Sequence, residues 1–491
     1  MSRLRKIEKV AIANRGEVAV RIIRACQELG IETVLLHSEA DANTPAARLA
    51  DEPVCVGASD LNDSYLNIQA NVENALSRGA DAIHPGFGFL SENAEFAKAC
   101  EDRGLIFIGP SPDAIRLFGD KISAKRLVQK AGGPVIPGYD GDDQEIECLL
   151  GEAKKIGYPV IVKATAGGGG RGLKVIRSAP EAREQIESAQ REGMAAFGSA
   201  KVFLEKYLGH AKHIEVQIFG DASGKIHVLG ERECSIQRRH QKIIEEAPCA
   251  QLSPALRLQM HDTAKAIGEQ ASYCNAGTVE FLLQDGKFYF MEMNTRLQVE
   301  HPVTEMTFGV DLVKGQILTA MGKAVGWTPR EALGHAIECR IYAENPYQGG
   351  IPSTGLVGSC LWPAGPGRRF EVGVEAGDQV TSFYDSMIAK VVVWDETRAR
   401  AIQKMQATLR ETMIFGVHTN IPLLQEILRH PEFMLGDMTT RFFEEHFPQA
   451  LKPEEPTRLE TQLLEKVRRQ IGEAATASSI TSPWTHQWGG R

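Results

Sequence analysis

Apolar residues along the chain keep two rhythms, short unbroken runs and helical spacings of three and four. Val10-Ala-Ile-Ala13 and Thr33-Val-Leu-Leu36 read as buried strands, Glu17 to Leu29 as an amphipathic helix between them, and Gly16 as the turn. This is a βαβ start. Ala82-Ile83 and Ile106-Phe-Ile108 continue the series. Between them the loop Ile83 to Asn93 carries glycines and polar residues where a parallel sheet places its ligand loops. Residues 1–115 are expected to form a first α/β domain.

From Lys121 to about Lys130 the spacing predicts a helix, broken by Gly132-Gly-Pro134. Tyr158 to Lys163 and Leu173 to Arg177 predict two strands around Ala164-Thr-Ala-Gly-Gly-Gly-Gly-Arg-Gly172. Val202 to Leu208 predicts a strand and connector, His213 to Phe219 an alternating strand, and Asp221 to Gly224 a hairpin turn. Leu252 to Cys274 predicts a helix with Ser253 as N-cap and Pro254 at its first position.

Val279 to Leu283 and Phe288 to Met293 then predict a hairpin. In its second arm and continuation, Glu292, Asn294, Arg296, Gln298 and Glu300 take every second position, with apolar Met293, Leu297 and Val299 between. Alternate residues of an extended chain share a face, so carboxylates, amides and a guanidinium line one side. For Glu280 and Glu292 to lie opposite each other, the loop must hold an odd number of residues centred on Gly286. A three-residue loop or a bulge gives this; a two-residue Asp-Gly turn puts them on opposite faces.

After about residue 335, strands at Ala336–Tyr342, Arg369–Val372 and Ile388–Trp394 with helices at about 397–411 and 420–429 predict a third, α+β unit. The expected domains are 1–115, 116–334, 335–447 and a tail, 448–491. That tail reads as a charged helix with Leu459, Leu463, Val467 and Ile471 on one face, then a Ser/Thr-rich end with Trp484 and Trp488. No internal repeat is visible.

The length of 491 residues suits three domains, and the net charge of −8 argues against nucleic acid and acidic membranes as partners. Nine cysteines, an odd number without a CxxC pair, indicate reduced thiols. With no stretch of about twenty apolar residues, a soluble, cytoplasmic protein is expected. Asn14-Arg-Gly-Glu17 offers one glycine where a dinucleotide fingerprint needs three, which excludes a nicotinamide site there.

The glycine loop is not a P-loop, because Gly172 leads into another strand and not into Gly-Lys-Ser/Thr and a helix. A glycine hairpin can still lay bare N–H groups on phosphates. Lys121 and Lys163 add cations, and Gln237-Arg-Arg-His-Gln-Lys242 reads as an anion site. Glu280, Glu292 and Asn294 supply the hard oxygens that hold Mg²⁺ or Mn²⁺ on nucleotide phosphates. Together they describe an ATP site without a P-loop.

The glycine loop, Gln237 to Lys242 and Glu292-Met-Asn-Thr-Arg-Leu-Gln-Val-Glu-His-Pro-Val-Thr-Glu305 resemble the biotin carboxylase members of the ATP-grasp superfamily, over about residues 5–447. The resemblance implies an N-terminal Rossmann-like domain, an ATP-grasp domain with a mobile glycine-rich lid at about 133–207, and a C-terminal α+β domain. It implies that ATP phosphorylates bicarbonate to carboxyphosphate, whose CO₂ is captured by biotin.

By matching positions, Glu280, Glu292 and Asn294 would hold the metal. Lys121, Lys163, Gly167, Gly168, Gly169, Gly170, Glu205, Lys206, Tyr207, Leu208, His213, Gln237, His240 and Leu282 would hold the nucleotide. Arg296, Gln298 and Val299 would seat bicarbonate, Glu300 would take its proton, Lys242 would steady carboxyphosphate, and Arg340 would stabilise the biotin anion. Each role suits its residue: a guanidinium fork matches a planar anion, and a carboxylate accepts a proton.

No Met-Lys-Met occurs, so the biotinylated lysine is expected on a separate carrier protein, with a carboxyltransferase subunit as further partner and a homodimer as the assembly. The tail is a candidate docking segment. Three departures stand out: Thr165-Ala166 before the glycines, Phe87 where tyrosine is frequent, and Gln348-Gly-Gly-Ile351. The alternatives are another ATP-grasp ligase joining a carboxylate to an amine through an acyl phosphate, which Arg340 and Arg296 to Glu300 disfavour, and a non-catalytic nucleotide-binding regulator, which would lack the metal pair or base.

Overall fold

Val10, Ala11 and Ile12 have no exposed surface, as their continuous apolar run requires. They belong to β1 (Lys9–Ile12), which with β2 (Glu32–Ser38), β3 (Glu52–Gly57), β4 (Ala82–His84) and β5 (Ile106–Phe107) forms a parallel sheet in the order β3-β2-β1-β4-β5. The computed structural model describes residues 4–164, 173–239, 241–327 and 331–452. Helix Gly16–Glu28 crosses from β1 to β2. Strand order reverses between β1 and β4, so their following loops part and open a crevice. Asn14 Nδ2 stitches the two loops by donating to the carbonyls of Pro85 at 2.7 Å and Phe87 at 2.8 Å. Gly86, with φ +64°, passes so close that a Cβ would lie 2.8 Å from that amide.

A small second unit holds β6 (Gly138–Tyr139), β7 (Val160–Ala164), β8 (Leu173–Ile176) and β9 (Val202–Lys206), antiparallel in the order β6-β9-β7-β8. Helices Ile146–Ile156 and Ala179–Phe197 pack on it, and the second starts with a Ser178/Glu181 capping box. Leu149, Val160, Val162, Ile176, Ile186, Val202 and Leu204 form a core of their own. The glycine loop joining β7 to β8, with Gly167, Gly168, Gly169 and Gly170, lies outside the described residues, as do His240 and the tail beyond 452.

The largest sheet takes β10 (Lys212–Gly220), β11 (Ile226–Arg238), β12 (Gln241–Ala247), β13 (Asn275–Gln284), β14 (Lys287–Asn294) and β15 (His335–Tyr342). They stand in the antiparallel order β14-β13-β10-β11-β12-β15, and strands Met387–Asp395 and Arg368–Val372 follow. The main strands after residue 335 therefore extend the sheet of the middle segment. Helices Arg398–Glu411 and Ile421–Arg429 cover that end with a shared apolar core. Helix Pro254–Gln270 begins as its sequence indicates, with Ser253 Oγ accepting from the Leu256 N–H. Among the described residues no helix is long and apolar enough to cross a membrane.

The β13–β14 hairpin sets Glu280 opposite Glu292 as expected, by a bulge and not by its turn. Its turn is the two-residue Asp285-Gly286, both at positive φ, with Gln284 opposite Lys287. An odd-length turn centred on Gly286 is thus overturned. The pairing runs to Phe281 opposite Phe290 and then steps to Glu280 opposite Glu292, leaving Met291 as the extra residue of a β-bulge. The bulge restores the parity the turn lacks. Strand β14 ends at Asn294, so the alternating row does not stay on one strand. Arg296 to Glu300 form the next loop, and Glu300 is the N-cap of helix His301–Phe308.

Candidate active site

A cleft of about 930 Å³ opens where the ligand loops of the first unit, the small unit and the large sheet meet. Lys121, Lys163, Glu205 to Leu208, His213, Gln237, Lys242, Glu280, Leu282, Glu292, Asn294, Arg296, Gln298, Val299 and Arg340 all line it. Glu300 does not. It is fully buried behind Lys242 and Arg340.

The bulged hairpin sets Glu280 beside Glu292. Glu280 Oε1 accepts from Lys242 Nζ at 2.9 Å, Asn294 Nδ2 at 2.8 Å and Gln298 Nε2 at 2.9 Å. Its Oε2 lies 2.9 Å from His213 Nε2, and Gln237 Nε2 meets His213 Nδ1 at 2.7 Å. Burial alone would raise the Glu280 carboxyl, but Lys242 and His213 outweigh it and hold it far below the usual range. Glu292 shows the opposite balance: enclosure by the cleft and then repulsion from Glu280 push it up. Among the described residues no side chain hydrogen-bonds Glu292. A divalent cation fits this pair, since it would relieve the repulsion with the hard oxygens present. Asn294 Oδ1 already accepts from Arg296 Nη2 at 2.8 Å, so in this arrangement Asn294 orients Glu280.

Deeper in the cleft, Lys242 Nζ donates to Glu300 Oε1 at 2.7 Å and Glu215 Oε2 at 2.6 Å as well as to Glu280. Arg340 Nη2 donates to Glu300 Oε2 at 3.0 Å, and its Nε to Glu245 at 2.6 Å. The completely buried Arg232 binds Glu215, Gln217 at 2.7 Å, Thr304 at 2.9 Å and Thr278 at 3.1 Å. Burial opposes ionisation of Glu300, yet Lys242, Arg340 and Arg232 together hold its carboxyl well below the ordinary value. Glu245 is different, because burial lifts it to about 7 despite Arg340.

Arg296 spreads its fork over the loop after β14. Its Nε donates to Glu92 at 2.9 Å, and its Nη1 to Gln298 Oε1 at 2.8 Å and the Leu297 carbonyl at 3.1 Å. At the opposite end, Lys163 donates to Glu205 at 2.5 Å and Lys125 pairs with the other oxygen of that carboxylate. Burial lowers Lys121, with Glu292 opposing. Lys206 turns its ammonium to the carbonyls of Gly157 and Tyr158, at 2.8 and 3.0 Å.

Sequence reasoning overlooked four members of this network. Lys125 lies one helical turn beyond Lys121 and lines the same cleft, a signal that the spacing carried. Glu215 shares the strand face of His213, two positions away. Arg232 and Glu92 gave no local signal, since their partners come from distant segments.

The class that this fold and cleft define is the ATP-grasp enzymes. Among family descriptions, "Biotin carboxylase, N-terminal domain" matches residues 6–115, "Carbamoyl-phosphate synthase L chain, ATP binding domain" 120–327, and "Biotin carboxylase C-terminal domain" 338–445. A biotin carboxylase of Nostoc sp. is 50% identical over 443 residues, 90% of this chain and 99% of that protein. The mitochondrial methylcrotonoyl-CoA carboxylase subunit alpha of Glycine max is 48% identical over 445 residues, and the match spans 90% of this chain and 61% of that longer one. Among solved structures, the biotin carboxylase domain dimer of Hydrogenobacter thermophilus 2-oxoglutarate carboxylase, in complex with MgADP, ADP and bicarbonate, is similar with a TM-score of 0.87. Its identity is 44%, over 92% of this chain and 100% of that one. The chain belongs to the biotin carboxylase family.

Proposed function

We propose that this chain catalyses the ATP- and bicarbonate-dependent carboxylation of biotin carried on a separate protein, the first half-reaction of a biotin-dependent carboxylase. One observation carries the reading: a buried carboxylate, Glu300, held between Lys242 and Arg340, lies directly behind a cleft lined by the carboxylates Glu280 and Glu292 and the forked guanidinium of Arg296.

Lys121, Lys163 and Lys125 supply positive charge for the ATP phosphates, and the connector Glu205 to Leu208 borders the nucleotide base. Glu280 and Glu292 would hold Mg²⁺, which would offset the negative charge of the phosphates. Arg296, Gln298 and the Val299 backbone seat planar bicarbonate. Lys242 and Arg340, both at the cleft wall, are the groups bicarbonate must share with Glu300 to reach it. Because those cations keep Glu300 ionised, it is ready to take the bicarbonate proton as the bicarbonate oxygen attacks the γ-phosphorus and the bond to the β,γ-bridging oxygen breaks, releasing ADP. Lys242 then faces carboxyphosphate, and Arg340 offers its fork to the ureido oxygen of the biotin anion that captures CO₂.

The acceptor of the carboxyl group belongs to a partner. Relatives of this chain are subunits or domains of methylcrotonoyl-CoA, pyruvate and 2-oxoglutarate carboxylases, so a shared first step with a partner-chosen acceptor accounts for all three. The test is ATP hydrolysis by the purified chain with Mg²⁺. Hydrolysis that depends on bicarbonate and rises with free biotin is the expected result; normal ATP binding without that stimulation overturns the assignment.

A further inference from the structure

Strand Met387–Asp395 is apolar along its buried length except at one position, Lys390, which has no exposed surface. Its ammonium has no role in the chemistry described above, yet three segments converge on it. It donates to the Val299 carbonyl at 2.6 Å, it lies 3.3 Å from Glu17 Oε2 at the start of helix Gly16–Glu28, and it stands 6.0 Å over the ring of Phe87. Val299 is the residue before Glu300 and lines the cleft, and so does Phe87.

The sheet explains why the side chain points there. Lys390 pairs across the strands with Arg340 on one side and Glu371 on the other, so it shares the face from which Arg340 reaches Glu300. A fully buried ammonium is costly unless its hydrogen bonds are satisfied. Here a site-loop carbonyl accepts a hydrogen bond from it, and the Glu17 carboxylate of the first unit pairs with its charge at 3.3 Å.

We propose that Lys390 is a positioning residue for the carboxylation reaction: by holding the Val299 carbonyl it sets the loop from Gln298 to Glu300 against the first unit and so shapes the bicarbonate seat. This rests on the proposed reaction for its kinetic consequence, and on the contacts alone for its structural one. Burial raises Glu17 and the neighbouring Glu338, with Lys390 opposing in both, which agrees with an ammonium shared among more than one group.

The experiment uses the full chain with Lys390→Met, Lys390→Arg and the double variant Lys390→Met/Glu17→Gln. In Lys390→Met the KM for bicarbonate should rise about tenfold, the scale of one lost charge-assisted hydrogen bond, while the KM for ATP stays within about twofold. Lys390→Arg should recover part of the loss. The double variant removes both buried charges, so its Tm should return toward the parent while the bicarbonate defect persists. A double variant whose bicarbonate KM recovers together with its Tm makes Lys390 a purely structural charge and overturns the proposal, as does an unchanged KM in Lys390→Met. Amide hydrogen exchange at residues 298–301 gives a readout independent of activity, and it should quicken in Lys390→Met but not at residues 281–283. If the parent chain shows no biotin-stimulated hydrolysis, the proposed reaction fails, and the exchange at 298–301 alone upholds or overturns the positioning role.

Discussion

Glu300, fully buried just behind the cleft, lies 2.7 Å from Lys242, which lines the cleft in front of it. Lys163, another cation of the cleft, pairs with Glu205 instead. Glu300→Gln keeps the shape and removes the proton acceptor, so biotin carboxylation should fall about a hundredfold or more, the scale of a lost general base. The KM for ATP should stay within about twofold. Steady-state kinetics with ATP and bicarbonate varied separately checks this; a parallel loss of ATP affinity would make Glu300 a nucleotide or metal ligand.

The metal pair is completed by Glu292. Glu292→Gln keeps the bulge and the register and removes one of the two anionic oxygen ligands offered to the cation, so Mg²⁺-dependent nucleotide binding should be lost. Calorimetric titration of MgATP into the variant, with circular dichroism to confirm folding, checks the claim. Wild-type affinity in Glu292→Gln would remove Glu292 from the metal site.

A pH dependence follows from Glu17. Burial raises its carboxyl from 4.5 to about 7 in the folded chain, with Lys390 opposing. The folded state then retains a proton that the unfolded chain has released, so this contribution to stability is complete below pH 4.5 and is lost as pH rises through about 7. Glu17→Gln stays neutral throughout. Loss of its contact with Lys390 adds an offset, so the change with pH is the readout. Relative to the parent, the variant should gain up to about 3 kcal/mol between pH 5 and pH 8 in urea unfolding. A gap that does not change with pH would overturn this.

At the tip of the same hairpin, Gly286 has φ +70° and open space where a Cβ would go. Gly286→Ala should cost about 1 kcal/mol from backbone strain alone, with unchanged kinetics for ATP and bicarbonate. Thermal unfolding alongside the activity assay measures both.

Much of this architecture was legible in the chain because local rules govern it. The run at Val10 to Ile12, the single glycine at Gly16 and the Ser253-Pro254 helix start each act within a few residues of themselves. Alternation likewise put Glu292 and Asn294 on one face. What stayed hidden depends on partners far away in sequence. Asp285-Gly286 is a two-residue turn by its own chemistry, and no glycine marks the bulge at Met291 that corrects for it. The addition of His335–Tyr342 to the middle sheet rests on pairing with β12, more than eighty residues earlier, and Met387–Asp395 joins by pairing with His335–Tyr342. Lys390 sits in an apolar run, where a lone lysine has no period to betray it. Glu300, read as part of a strand, is instead a helix N-cap in a layer reached only past two cations.

Glu292 stands on the first strand of the eight-stranded sheet and Arg340 on the sixth, with unbroken hydrogen-bonded pairing between them. The small unit, with its separate core, contributes no strand to that sheet. The sheet therefore works as a ruler with two marks on it: a swing of the small unit changes its distance from either mark and leaves the span between them as it was. On the proposed roles, phosphate chemistry beside Glu292 and carbon chemistry beside Arg340 share one short-lived intermediate, and a single hydrogen-bonded lattice sets their spacing.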